Sequence, residues 1–104
     1  MSKSIIQRYT DKENRECLLC RLQSSAVLPH EGLEKHHLIH GWANRRLAEK
    51  WGLWAYLCPL HHREVHNSDR EKDLFLMQIA QGRFEKLYGH EKWMKVFGKN
   101  YLII

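Results

Sequence analysis

All three cysteines of this 104-residue chain stand where a metal ion could use them. Cys17 and Cys20 form a Cys-x-x-Cys pair, and Cys58 and His61 form a Cys-x-x-His pair. A tetrahedral zinc site needs two such pairs, each on a tight turn so that its donors converge without strain. Four protein ligands close the coordination sphere, so Cys17, Cys20, Cys58 and His61 predict a structural Zn2+ that staples the fold and takes no part in catalysis. The histidines supply a second set. His62 and His66 stand at i and i+4, one above the other on a helix face, a spacing that lets two imidazoles share one ion. His36 and His37 are adjacent, and adjacent side chains of a strand point to opposite faces, so the two have different tasks. One can ligate a metal while the other stays metal-free beside a scissile phosphate. His36, His62 and His66 together make a three-imidazole site with an open position. An ion held there stabilises a phosphoryl oxygen and the leaving alkoxide, and His37 takes a proton from water as general base. These are the parts of a phosphodiester hydrolase.

The elements that must position these residues follow from local pattern. Residues 1–16 read as a flexible polar lead-in, with a short strand at Ile5 and Ile6. A knuckle at Cys17–Cys20 leads into a loop through Ser24, Ser25 and Pro29. Glu34–Ile39, bounded by Gly32 and Gly41, predicts a strand of about six residues. Trp42–Trp51 predicts a short helix stopped by Gly52, and Leu53–Leu57 a second strand. Pro59 is favoured at a first helical turn, so a helix starting there carries His61, His62 and His66. Beyond Asn67 the pattern is helical to about residue 98. Ser68 and Glu71 have the spacing of a capping box, Gly82 is a candidate break, and Gly89 and Gly98 are candidate stops. The expectation is an α+β fold: a core at about 34–67 and C-terminal helices at about 68–98, within one domain spanning 17–104.

Composition sets the outer limits. Seventeen Lys and Arg against 12 Asp and Glu give a net charge of +5. At 43% hydrophobic and 28% charged, the chain is too apolar for a disordered tail. Its apolar runs fall short of the roughly 18 residues that cross a bilayer, so no membrane partner is expected. Residues 1–10 lack the apolar stretch of a secretory signal, which predicts the reducing cytoplasm and free thiols.

The ordered string Cys17-x-x-Cys20, His36-His37 and Cys58-x-x-His61-His62-x-x-x-His66 resembles the HNH endonucleases of the His-Me finger superfamily in their zinc-stapled form. The stretches HHLIHGWANRR, WGLWAYLCPLHH, RFEKLYGHEKW and FGKNYL are similar to small phage and prophage members, so the resemblance runs over about residues 17–101. It implies a ββα-metal core, with a β-hairpin and a helix gripping one catalytic divalent ion. It implies His37 as general base and His36, His62 and His66 as metal ligands. DNA is the implied substrate, and the bacterial cytoplasm the implied setting. One departure stands out. The family's middle Asn lies on the second strand, whereas that strand here reads LWAYL and the intervening segment holds only Asn44.

Arg45, Arg46, Lys50 and Arg63 are candidates for DNA phosphates, because Lys and Arg contact the backbone's line of negative charge without reading sequence. Trp42, Trp51, Trp54 and Trp93 could stack on bases, but helical or strand spacing favours core packing for most of them, and core packing is the default expectation. Three imidazoles suit Zn2+, Ni2+ or Mn2+, whereas Mg2+ prefers oxygen ligands but remains worth testing. Two rival readings stay open. One is a non-catalytic zinc module that binds nucleic acid or protein. The other is an accessory recombination or packaging factor that nicks only with a partner; the partners considered are a second copy in a homodimer and phage recombination or packaging proteins.

Overall fold

The structure is a computed structural model that describes residues 3–8, 10–11, 14–23, 32–67 and 70–102. Its elements in chain order are α1 (Leu18–Gln23), β1 (Glu34–His37), α2 (Trp42–Trp51), β2 (Trp54–Leu57), α3 (Pro59–Asn67), α4 (Arg70–Tyr88) and α5 (His90–Phe97). β1 and β2 pair antiparallel, with Glu34 opposite Leu57, Lys35 opposite Tyr56, His36 opposite Ala55 and His37 opposite Trp54. The hairpin followed by α3 is a ββα arrangement, and α4 and α5 complete the α+β fold. No helix among the described residues is long and apolar enough to cross a membrane.

The strands are joined by a helix and not by a tight turn. β1 ends at His37, two residues short of the expected strand, because Leu38 and Ile39 turn inward and are fully buried. α2 then runs over the expected span. Gly52 stops it in the left-handed conformation (φ 73°), returning its N–H to the carbonyls of Ala48 and Glu49. A side chain is excluded there twice over, since a Cβ on Gly52 would lie 2.2 Å from the Lys3 carbonyl oxygen.

That close approach belongs to a segment expected to trail as a mobile lead-in. Residues 4–7 instead dock on β2. The Ile5 N–H donates to the Gly52 carbonyl (2.9 Å), and Gln7 Oε1 accepts the Tyr56 N–H (2.8 Å). Ile5 and Ile6 form no strand; Gln7 satisfies the outer edge of β2 with a side chain where a third strand would have used backbone.

Leu38, Ile39, Leu53 and Leu57 form the centre of the core, closed on one side by Leu76, Phe84 and Trp93 from α4 and α5. Trp51 meets Phe84 edge-on, and Trp93 stacks on Phe97 with centroids 4.3 Å apart. Gln81 is fully buried and pins the C-terminal segment through Asn100 Oδ1 (2.8 Å) and the Tyr101 N–H (2.7 Å). α4 runs unbroken through Gly82, which is exposed; one glycine costs such a helix about 1 kcal/mol and does not end it. The proposed Ser68 cap lies outside the described residues. Of the four tryptophans assigned to the core, Trp42 is the exception, being 89% exposed.

Candidate metal centres

The Cys17, Cys20, Cys58 and His61 donors converge where the start of α3 meets α1. Their spacings are 3.3 Å for Cys17 Sγ to His61 Nδ1, 3.5 Å for Cys20 Sγ to His61 Nδ1, 3.3 Å for Cys58 Sγ to His61 Nδ1 and 3.9 Å for Cys20 Sγ to Cys58 Sγ. Zinc bonds of 2.3 Å to sulfur and about 2.05 Å to nitrogen, set tetrahedrally, require edges of about 3.8 Å between sulfurs and 3.6 Å between sulfur and nitrogen. The four donors already lie near those separations. All three cysteines are free thiols. Burial, with the thiols of Cys17 and Cys58 adding to it, pushes the Cys20 thiol up to about 12. The near-tetrahedral spacing of three sulfurs and one imidazole nitrogen, with no disulfide among them, fits a structural zinc.

The second centre is laid out by strand parity. Glu34 and His36 face α3, whereas Lys35 and His37 face α2. On the α3 side the donor atoms of His36, His62 and His66 all lie within 4.8 Å of one another. His62 Nδ1 donates to Glu34 (2.7 Å), which leaves its Nε2 as a lone pair, 2.9 Å from His66 Nε2. Two nitrogens bound at about 2.05 Å and about 90° apart on one ion, as in octahedral coordination, stand about 2.9 Å apart, and a ligating imidazole commonly gives its other N–H to a carboxylate. His36 is 3% exposed and its Nε2 has no hydrogen-bond partner among the described residues. Burial, reinforced by His62 and His66, lowers its pKa to about 3, so the imidazole stays neutral, the form that binds metal. An orphaned buried nitrogen beside two converging imidazoles fits a divalent cation.

On the α2 side, His37 Nε2 donates to Glu49 (3.0 Å), leaving Nδ1 as its proton acceptor. Lys35 holds the same carboxylate (2.7 Å). Burial pushes the Glu49 carboxyl up, but the hydrogen bonds from Lys35 and His37 outweigh it and leave the group below its ordinary value. A cleft of about 360 Å³ is lined by both His36 and His37, with His62, His66, Trp42 and Arg45, and a second cleft joins His37 to Arg45, Arg46 and Glu49. Arg45 thus lines both clefts and Arg46 the second, beside His37. Lys50 and Arg63 are exposed but line neither cleft.

Two participants, Glu34 and Glu49, escape the sequence reading. Glu34 was legible, since it shares strand parity with His36 two residues away. Glu49 needed the α2–β1 packing to be seen. Asn44 is on α2 and not on the second strand, and it donates to the His40 carbonyl (3.3 Å), tying α2 to the chain leaving β1. The site therefore belongs to a small α+β domain with a Cys3His zinc-binding cluster and a separate histidine triad, arranged as in ββα-metal folds. Comparison with protein-family models, with curated proteins and with solved structures gives no match.

Proposed function

We propose that residues 17–104, with the docked segment 4–7, act as one metal-dependent nuclease domain that hydrolyses phosphodiester bonds in DNA. The observation that carries this reading is the division of His36 and His37 between two faces of β1, one joining an imidazole triad and the other a carboxylate, with both side chains lining one cleft. His36, His62 and His66 would hold a divalent ion, which would supply charge stabilisation to the phosphoryl and leaving oxygens. His37 Nδ1 removes the proton of an attacking water; the oxygen bonds to phosphorus, the phosphorus–oxygen ester bond breaks, and the leaving oxygen takes a proton. Glu49 fixes the ring and tautomer of His37. Arg45 and Arg46 hold flanking phosphates. The resemblance to HNH endonucleases supports the assignment, and with it a phage or prophage origin and work in the bacterial cytoplasm, as a homodimer or beside recombination or packaging proteins.

Supercoiled plasmid incubated with Mg2+, Mn2+, Ni2+ or Zn2+ tests it. Wild type converts plasmid to nicked and linear forms, and His37→Ala does not while keeping its fold and zinc. Cleavage by wild type of neither this plasmid nor a single strand, with the fold intact and DNA still bound in chelator, rejects hydrolysis in favour of a binding module.

A further inference from the structure

The cleft has one wall for which hydrolysis provides no use. Trp42 begins α2, is 89% exposed, and lines the cleft with the histidines. An indole left in water forfeits the burial that the other three tryptophans obtain, and such exposure beside a site is informative where a lone exposed Leu would not be. At helical spacing, Trp42, Arg45, Arg46 and Glu49 stand at i, i+3, i+4 and i+7, one stripe along α2. One end of the stripe is the exposed ring, the middle is two guanidinium groups, and the far end is the carboxylate that holds His37. The stripe runs about 10 Å along the helix axis.

Its surroundings indicate the occupant. Lys35, His40 and Arg45 line the cleft with Trp42, and the first turn of α2 carries no acidic residue and no side-chain cap. Lys35 is paired with Glu49 and His40 with Asp73, so the cations that suit a phosphate beside the ring are the Arg45 and Arg46 guanidinium groups of the same stripe. In a duplex both faces of every base are covered by neighbouring bases and only the edges are open. An indole needs a free face, which an unpaired nucleotide offers.

The geometry points to a base-stacking subsite: Trp42 receives the face of an unpaired nucleobase flanking the scissile phosphate, Arg45 and Arg46 hold the phosphates between, and single-stranded DNA is the substrate class. This rests on the hydrolytic reading above and narrows it.

Two measurements on the full zinc-loaded chain test it. Steady-state cleavage of one labelled oligonucleotide, single-stranded and annealed to its complement, compares wild type with Trp42→Ala and Trp42→Phe. The alanine variant raises KM for the single strand about tenfold with kcat within twofold, the phenylalanine variant stays within about threefold of wild type, and KM for the duplex does not move. Anisotropy of a fluorescein-labelled oligo(dT) in the His37→Ala background gives the same tenfold loss on adding Trp42→Ala, without relying on turnover. A single-strand KM within twofold of wild type, or an equal loss on single strand and duplex, overturns the subsite. If wild type cleaves neither form, the hydrolytic reading fails, and the anisotropy arm still decides Trp42: a tenfold loss supports the subsite, and no loss overturns it.

Discussion

Removing the zinc should unfold this protein under conditions where the loaded form is stable. Cys20 Sγ and Cys58 Sγ lie 3.9 Å apart although 38 residues separate them, so the ion closes a long loop. Closing a loop of that length withdraws about 4 kcal/mol of chain entropy from the unfolded state, by the relation used for disulfides. A domain of about 100 residues has roughly 5–15 kcal/mol in total. At 4–8 °C per kcal/mol, the melting temperature falls by about 15–30 °C. The assay is a pair of thermal melts followed by circular dichroism, with zinc retained and after a high-affinity chelator, alongside Cys58→Ser. Zinc uptake must also displace protons, because the Cys20 thiol, raised to about 12, keeps its proton through neutrality in the metal-free fold. Affinity for zinc therefore drops as pH falls, and titration in lightly buffered solution shows acid released. A melting temperature that moves by less than about 5 °C on complete zinc removal, or a full equivalent of zinc retained by Cys58→Ser, would refute the reasoning.

Further expectations concern the second centre and the backbone. Glu49→Gln lowers kcat about 10- to 100-fold with KM within twofold, because His37 loses the partner that sets its tautomer; adding it to His37→Ala costs nothing more, and additive losses in the double variant argue against a shared role. His62→Ala abolishes one equivalent of Ni2+ binding by calorimetry while the Cys-bound zinc stays; unchanged Ni2+ binding would remove the triad from consideration. Gly52→Ala, with φ at 73° and a Cβ 2.2 Å from a carbonyl oxygen, lowers stability by at least about 2 kcal/mol in chemical denaturation. Gly82→Ala, whose Cβ would meet nothing within 4 Å in an exposed helix interior, raises stability by about 1 kcal/mol in the same assay.

Spacing carried much of this architecture. The left-handed glycine that ends α2 is marked by its residue type, Pro59 marks the start of α3, and donor pairs three or four residues apart need little beyond local geometry to converge. Strand alternation separated His36 from His37 before any packing was known. What escaped depended on distant partners. Gln7 is an ordinary polar residue until the edge of β2 lies beside it, and Glu49 one helical charge among several until α2 packs on β1. Helical periodicity placed Trp42 on α2 but carries no information on what lies beyond its first turn, so core packing was the wrong expectation for it. Gly82 was overread because propensity is weak beside the packing of a 19-residue helix.

His61 and His62 are neighbours on α3, yet one belongs to the thiol cluster and the other to the imidazole triad. Consecutive residues of a helix project about 100° apart, so one cylinder carries both sets of donors on different sides. The cluster thereby acts as a set-screw on the roll of α3. Side-chain tips sit roughly 5–6 Å from the axis, so a slackening that lets the helix roll by about 10° carries His62 and His66 about 1 Å off their mark. A displacement of that size, made without touching the cleft, is enough to cost a reaction about a hundredfold. The thiol cluster thus governs the aim of the imidazoles as well as the survival of the fold.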